Sequence, residues 1–177
     1  MIDVDGELEK AGELWRLRYT RRLDHPAEKI WKALTEPERL QVWFPQRVVG
    51  EWRPGASLRF EHADQNLPAF DGEVIACEPP SLLEFRWGTD RLRFEIVQDG
   101  SGCVLTLIDT IDALGKAARD AAGWHACLDA LEHALEGRAQ PSGSGQRWSE
   151  VHPRYVEKFG PAASTIGPPK REANGLT

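Results

Sequence analysis

Lys116–Leu135, KAARDAAGWHACLDALEHAL, is the stretch whose reading decides the fold. Trp124, Leu128, Leu131 and Leu135 recur at i, i+4, i+7 and i+11, one stripe of a 3.6-residue period. Ala117, Ala118, Ala121 and Ala122 widen the stripe with side chains small enough for close approach. Asp120, Asp129, Glu132, His133 and Glu136 fill the remaining arc, and Gly137 stands where a helix ends. At about 1.5 Å per residue the helix is roughly 28 Å long, enough to cross a whole sheet. It is the one long helical pattern ahead of the tail, so what it covers sets the architecture.

Upstream of it the period is two. Leu58 and Phe60 alternate with Ser57, Arg59 and Glu61; Leu83, Phe85 and Trp87 with Leu82, Glu84 and Arg86; Leu92, Phe94 and Ile96 with Arg93, Glu95 and Val97. Arg47–Glu51, Gly72–Cys77 and Cys103–Thr110 read as further strands, and Asp99-Gly100-Ser101-Gly102 as a hairpin turn. Charges of both signs line one side, where cross-strand pairs give a few tenths of a kcal/mol each. The other side is aromatic and aliphatic and needs a cover. Earlier still, Trp15, Leu17 and Tyr19 alternate with Arg16, Arg18 and Thr20. Pro26 then opens a short helix carrying Ile30, Trp31 and Leu34, and Thr35-Glu36-Pro37-Glu38 reads as a capping box for a second helix reaching Trp43.

The resulting expectation is a flexible N-terminus at 1–12, a domain at 13–137 and a linker at 138–146. An amphipathic helix at 147–160 and a disordered tail at 161–177 complete it. Trp148, His152, Tyr155 and Phe159 supply that helix with one aromatic face, and Pro153 argues that it starts near the proline. Such a face suits packing on the domain, a protein partner or a homodimer.

With 177 residues, 41% hydrophobic and 28% charged, the chain has the composition of an ordinary soluble globular domain. No apolar run approaches a membrane span, and the first residues lack a basic, apolar signal, so a cytoplasmic location is expected. A net charge of −6 argues against nucleic-acid binding. Arg16, Arg18, Arg21 and Arg22 read as a solvated strand face. Cys77, Cys103 and Cys127 fit no zinc or redox spacing and read as small buried thiols in a reducing compartment.

Strand, two short helices, about six to seven antiparallel strands and a long C-terminal helix form an α+β helix-grip arrangement. The chain resembles the START-like (SRPBCC, birch-pollen-allergen-like) superfamily, in the branch named after the activator of heat-shock protein 90 ATPase. Arg22, His25-Pro26-Ala27-Glu28 and Ile30–Pro37 carry the resemblance, with Trp43, Trp52-Arg53-Pro54-Gly55 and Leu58-Arg59-Phe60. Gly72-Glu73-Val74, Glu78-Pro79, Leu83–Trp87 and Gly123-Trp124 with the leucine stripe extend it from Trp15 to Gly137. His25 stands where the family often has a small residue, and the loop from Asp109 to Lys116 is short.

The resemblance implies a cavity between sheet and helix holding a small apolar ligand of lipid, sterol or polyketide type. The expected lining is Phe60, Leu67, Phe70, Val74, Phe85, Trp87, Phe94, Ile96, Leu105, Leu107, Trp124 and Leu128. These residues alternate as a buried face, which a solid core would also produce. Two other readings follow from the same resemblance: a polyketide cyclase or aromatase-like enzyme using the cavity, and a chaperone cofactor or other interaction module tied to stress response. The sequence carries no phosphate loop, metal-ligand spacing or nucleophile motif, and no cofactor is expected. His62, beside Glu61 and Asp64 at a strand end, is the one catalytic candidate, as an acid or base at the cavity mouth. His125, Asp129 and Glu132 or His133 share a helical arc, which reads as a charged solvent face rather than a metal site.

Overall fold

The computed structural model describes residues 5–140 and 144–167. The remainder of the expected flexible N-terminus, of the 138–146 linker and of the disordered tail lies outside the described residues. Chain order is β1 (Glu7–Ala11), β2 (Leu14–Leu23), α1 (Ala27–Thr35), α2 (Pro37–Trp43), β3 (Arg47–Gly50), β4 (Ser57–Glu61), β5 (Phe70–Glu78) and β6 (Leu82–Trp87). Then come β7 (Asp90–Asp99), β8 (Gly102–Ile111), α3 (Ala117–Leu135) and α4 (Ser144–Phe159). One eight-stranded sheet runs β1-β2-β8-β7-β6-β5-β4-β3, antiparallel throughout. This is the helix-grip α+β fold, with α3 across the sheet.

The strand beyond the expected count is β1, from a stretch read as loose. Its polar composition hid it, because an edge strand needs no apolar alternation. Glu7 pairs with Arg18 and Glu9 with Arg16 across the ladder, opposite charges on neighbouring strands. Gly12, at φ +65°, makes the tight turn into β2.

Register assembles the inner face in rows. Tyr19, Leu107, Phe94 and Leu83 align across β2, β8, β7 and β6, and Leu17, Asp109, Leu92 and Phe85 form the next row. Phe85 lies at the centre, its ring 5.3 Å from Trp52, 5.9 Å from Phe60 and 6.2 Å from Phe94. Alternation also carries Arg21 inward, correcting its place in the solvated cluster. It is buried, and its Nη1 reaches Asp129 Oδ1 at 2.9 Å and Glu132 Oε1 at 3.3 Å.

The two short helices close one end of this core. The indole of Trp43 donates to the Ala33 carbonyl (2.8 Å) and that of Trp52 to the Thr35 carbonyl (2.9 Å). The expected capping box is absent: the Thr35 hydroxyl donates back to the Trp31 carbonyl at 2.8 Å, and Glu36 caps α2 without its side chain.

Helix α4 begins at Ser144, well ahead of Pro153, and runs through the proline. Pro153 is exposed, so the carbonyl it leaves unbonded meets water instead of a dry core. Its aromatic face packs on α3: Trp148 Nε1 donates to the Arg119 carbonyl (3.0 Å), and Val151 and Tyr155 are buried. The start of β1 and the residue pair before it meet α4 here. The Gly6 N–H donates to Tyr155 Oη (2.8 Å), Lys158 pairs with Glu7 (3.0 Å) and Arg154 with Asp5 (2.6 Å).

Two substitutions test this packing. A Cβ on Gly72 would fall 2.0 Å from the Arg86 carbonyl oxygen and 2.6 Å from Phe60. Gly72→Ala is therefore expected to cost about 1–3 kcal/mol or more in urea unfolding, since backbone has to move. Tyr155→Phe leaves the Gly6 N–H without its acceptor and is expected to cost about 1–3 kcal/mol, read by the same titration.

Candidate functional site

A groove of about 1090 Å³ runs along one flank of α3. The turn after α2 forms one wall with Trp43, Phe44, Pro45 and Gln46. Phe70 of β5 and Trp87 of β6 form the floor, and Arg147 and Trp148 of α4 form the far wall. Asp120, Gly123, Trp124, Cys127 and Ala130 of α3 run along its length. Ring spacings show one aromatic patch: Trp87 is 5.2 Å from Trp124, Phe44 is 5.8 Å from Trp124, and Phe70 is 5.8 Å from Trp87. Gln46 Oε1 accepts the Trp87 indole N–H at 3.0 Å and fixes that ring.

The expected lining residues divide between two places. Phe70, Trp87 and Trp124 face the groove. Phe60, Val74, Phe85, Phe94, Ile96, Leu105, Leu107 and Leu128 are buried in the contact between sheet and α3 and fall outside the groove. Leu67 sits in the loop before β5, 44% exposed, because the chain leaves the sheet there. His62 stands at the groove rim, its ring 5.6 Å from Phe70. The groove is thus bounded by α3, α4, the α2–β3 turn and the sheet residues Phe70 and Trp87.

One lining residue of α3 has no side chain. Gly123 sits in mid-helix, where glycine costs about 1 kcal/mol relative to alanine. A Cβ there would meet a single neighbour, Trp148 Cδ1, at 4.0 Å. Nothing in the packing therefore requires a glycine, and the missing side chain widens the groove between α3 and α4.

Beneath the groove lies a feature that alternation alone could not reveal, because its members come from three elements. Asp90 of β7, Asp109 of β8 and Asp120 of α3 bring carboxylate oxygens within 4.8 Å of one another. Asp109 is 0% exposed; its Oδ2 accepts the Trp124 indole N–H at 2.9 Å, and its Oδ1 meets no donor. Lys116 Nζ holds Asp90 at 2.8 Å and Asp112 at 2.9 Å, and Arg119 Nε holds Asp120 at 2.7 Å. Burial, reinforced by the charge of Asp90, pushes the Asp109 carboxyl well above the ordinary carboxylate range. Burial raises Asp90 as well, against the pull of Lys116. With an ammonium already placed between Asp90 and Asp112, the cluster is suited to holding a proton. Asp120 also lies on the groove wall, so the cluster reaches the groove through it.

The helical arc read as a charged solvent face turns inward instead. His125 is 2% exposed beneath α4, and burial lowers it to about 4, so it is neutral. Its Nδ1 is hydrogen-bonded to the Tyr155 hydroxyl at 2.7 Å, and Arg147 Nη2 faces its Nε2 at 3.3 Å. Asp129 receives Arg21 at 2.9 Å and Arg147 at 2.7 Å. Two guanidinium groups thus occupy the carboxylate that a metal would need. The Cys127 thiol in the groove is pushed up to about 12 by burial and offers no thiolate.

No curated protein matches the sequence. Among solved structures, a conserved protein of unknown function from Enterococcus faecalis is 19% identical, with a TM-score of 0.73 over 87% of this chain and 90% of that one. CalU16 from Micromonospora echinospora is 18% identical, with a TM-score of 0.67 over 89% of this chain and 97% of that one. DynU16, described as a putative protein in the dynemicin biosynthetic locus, is 27% identical, with a TM-score of 0.62 over 70% of this chain and 48% of that one. The first two likenesses establish the fold. Among the described residues no helix is long and apolar enough to cross a membrane. Residues 24–136, which run from the turn before α1 to the end of α3, match the family described as Activator of Hsp90 ATPase homolog 1-like protein, and the chain belongs to that family.

Proposed function

We propose that the protein binds a small apolar molecule of lipid, sterol or polyketide type in the groove between α3, α4 and the α2–β3 turn. Gly123 carries this reading: a helix that forgoes about 1 kcal/mol of propensity at a position with room for a side chain is shaped by what fills that room. The aromatic floor supports it, as does a volume near the ~300–1,000 Å³ common for such sites. DynU16, from a biosynthetic locus, makes a product-like or intermediate-like guest a reasonable class. Asp120 and Arg119 supply polar groups at one end, able to bond a hydroxyl or carbonyl on an otherwise greasy guest.

A second reading, turnover of such a guest by a cyclase-like enzyme, is favoured by the buried carboxyls behind Asp120. It differs from the first in one respect. Asp120→Asn should then abolish turnover while leaving binding of an apolar dye intact.

Gly123→Leu tests the carrier reading directly. It should raise helix stability slightly and abolish binding of an environment-sensitive apolar dye, followed by fluorescence titration. Absence of dye binding in the unaltered protein, or undiminished binding in Gly123→Leu, would contradict the reading.

The buried acid makes a separate prediction. A carboxyl whose pKa is raised on folding binds its proton more tightly in the native state, so native stability falls as pH rises through and above the ordinary carboxylate range. Asp109→Asn mimics the protonated acid, keeping an acceptor for Trp124. Its urea midpoint relative to the unaltered protein should rise between about pH 4 and about pH 7. Parallel profiles would show that Asp109 ionises normally.

A further inference from the structure

The tryptophans that line the groove have their one polar group already engaged. The indole of Trp43 donates to the Ala33 carbonyl (2.8 Å), Trp87 to Gln46 Oε1 (3.0 Å), Trp124 to Asp109 Oδ2 (2.9 Å) and Trp148 to the Arg119 carbonyl (3.0 Å). An indole has no second donor and no acceptor, so these rings offer a guest their faces and edges but no hydrogen bond. The guanidinium groups on the groove are tied as well. Arg119 Nε holds Asp120 and Arg147 Nε holds Asp129, each at 2.7 Å.

Gln46 is different. It stands in the turn after α2, lines the groove and is 8% exposed. An indole N–H can only donate, so the amide atom that meets Trp87 must be the oxygen, which settles which end of the amide is which. The other end, Nε2, makes no hydrogen bond among the described residues, and it is not among the unpartnered polar atoms sealed from solvent. It is therefore open on the groove side, in an orientation that the Trp87 bond holds. Of the buried side chains on the groove, Gln46 alone keeps a strong donor without a partner; the Cys127 thiol is a weak one.

This donor selects among apolar guests. A hydrocarbon laid over it strips water from the amide and returns nothing, whereas an acceptor oxygen restores the lost bond. Sites built to bond one polar group reject the analogue that lacks it. The rings beside Gln46 favour a flat aromatic body, with Trp87 5.2 Å from Trp124 and Phe44 5.8 Å from Trp124. An anionic guest fits poorly, because Asp120 and Asp129 also line the groove and the nearby guanidinium groups are held by them.

We infer that Gln46 is a specificity-determining residue of the groove, and that the guest is a neutral aromatic ketone or quinone whose carbonyl oxygen accepts the Gln46 Nε2–H. The inference rests on the binding reading proposed above and narrows its guest class.

The test uses the full-length chain loaded with an environment-sensitive apolar dye, displaced by fluorenone or by fluorene. These two probes share one tricyclic frame and differ in the carbonyl oxygen. Fluorenone is expected to displace the dye at a concentration lower by roughly tenfold or more (about 1.4 kcal/mol). Gln46→Glu, at about pH 8 where a carboxylate is ionised, keeps an acceptor for the Trp87 indole but removes the donor. That variant should lose the preference for fluorenone while binding fluorene as before, with the Trp87 indole N–H resonance in place. Gln46→Met, which lacks the donor and carries no charge, should lose the preference too. Equal displacement by the two probes in the unaltered protein, with the dye bound, would overturn this inference alone. So would a preference that survives in Gln46→Glu, since Gln46 would then serve only to hold Trp87. Absence of dye binding would overturn the binding reading and this inference together.

Discussion

Asp109 lies in the middle of a largely apolar sheet face, and α3 is seated by what that carboxyl needs. A fully buried acid without a hydrogen bond is costly, on the order of several kcal/mol if charged. The indole N–H of Trp124 meets Asp109 from above, and the hydroxyl of Tyr19 bonds the Ala121 carbonyl one turn earlier. Together these contacts set the rotation of α3 on the sheet. Once that rotation is set, Gly123 falls on the flank of the helix, Asp120 on the groove wall and His125 under α4. Burial at this position, with the charge of Asp90 nearby, holds the Asp109 carboxyl well above the ordinary carboxylate range, against the pull of the Trp124 hydrogen bond.

Helix α3 is covered on two sides. The sheet takes Trp124, Leu128, Leu131 and Leu135, and α4 takes His125 and the backbone around Arg119. The groove is what remains where these two covers fail to meet. Trp148 forms one of its walls, so the segment beyond the common domain contributes to the site instead of merely decorating it. The family match ends at residue 136, before α4. One wall of the groove therefore comes from a helix that lies outside the matched span.

Much of the fold was legible because its signals are local. A period of two through β4 to β8 and a period of 3.6 in α3 each follow from side-chain direction along one element. The strand β1 was not legible, since charge pairing with β2 and anchorage by α4 hold it without an apolar pattern. The start of α4 was misplaced because proline inside a helix is a reliable warning only where the lost bond would be buried, and Pro153 is exposed. Site residues followed the same division. Phe70, Trp87 and Trp124 were named because they alternate or recur with the buried set. Gly123, Asp120 and the α2–β3 turn were missed because their importance lies in a gap between elements, and a gap leaves no periodicity. Asp109 could have been noticed as an acid in phase with Leu105, Leu107 and Ile111 on the inner face of β8. Arg21 carried the same signal on β2.

The central claim is that the guest space lies between α3 and α4 and that the contact between sheet and α3 is filled. An NMR titration of side-chain resonances with an apolar probe addresses it most directly. The account predicts that the indole N–H signals of Trp87 and Trp148 shift together with the Ala130 methyl, while the methyls of Leu105 and Leu107 stay in place. Shifts concentrated on Leu105, Leu107 and their core neighbours, with Trp148 unmoved, would contradict it.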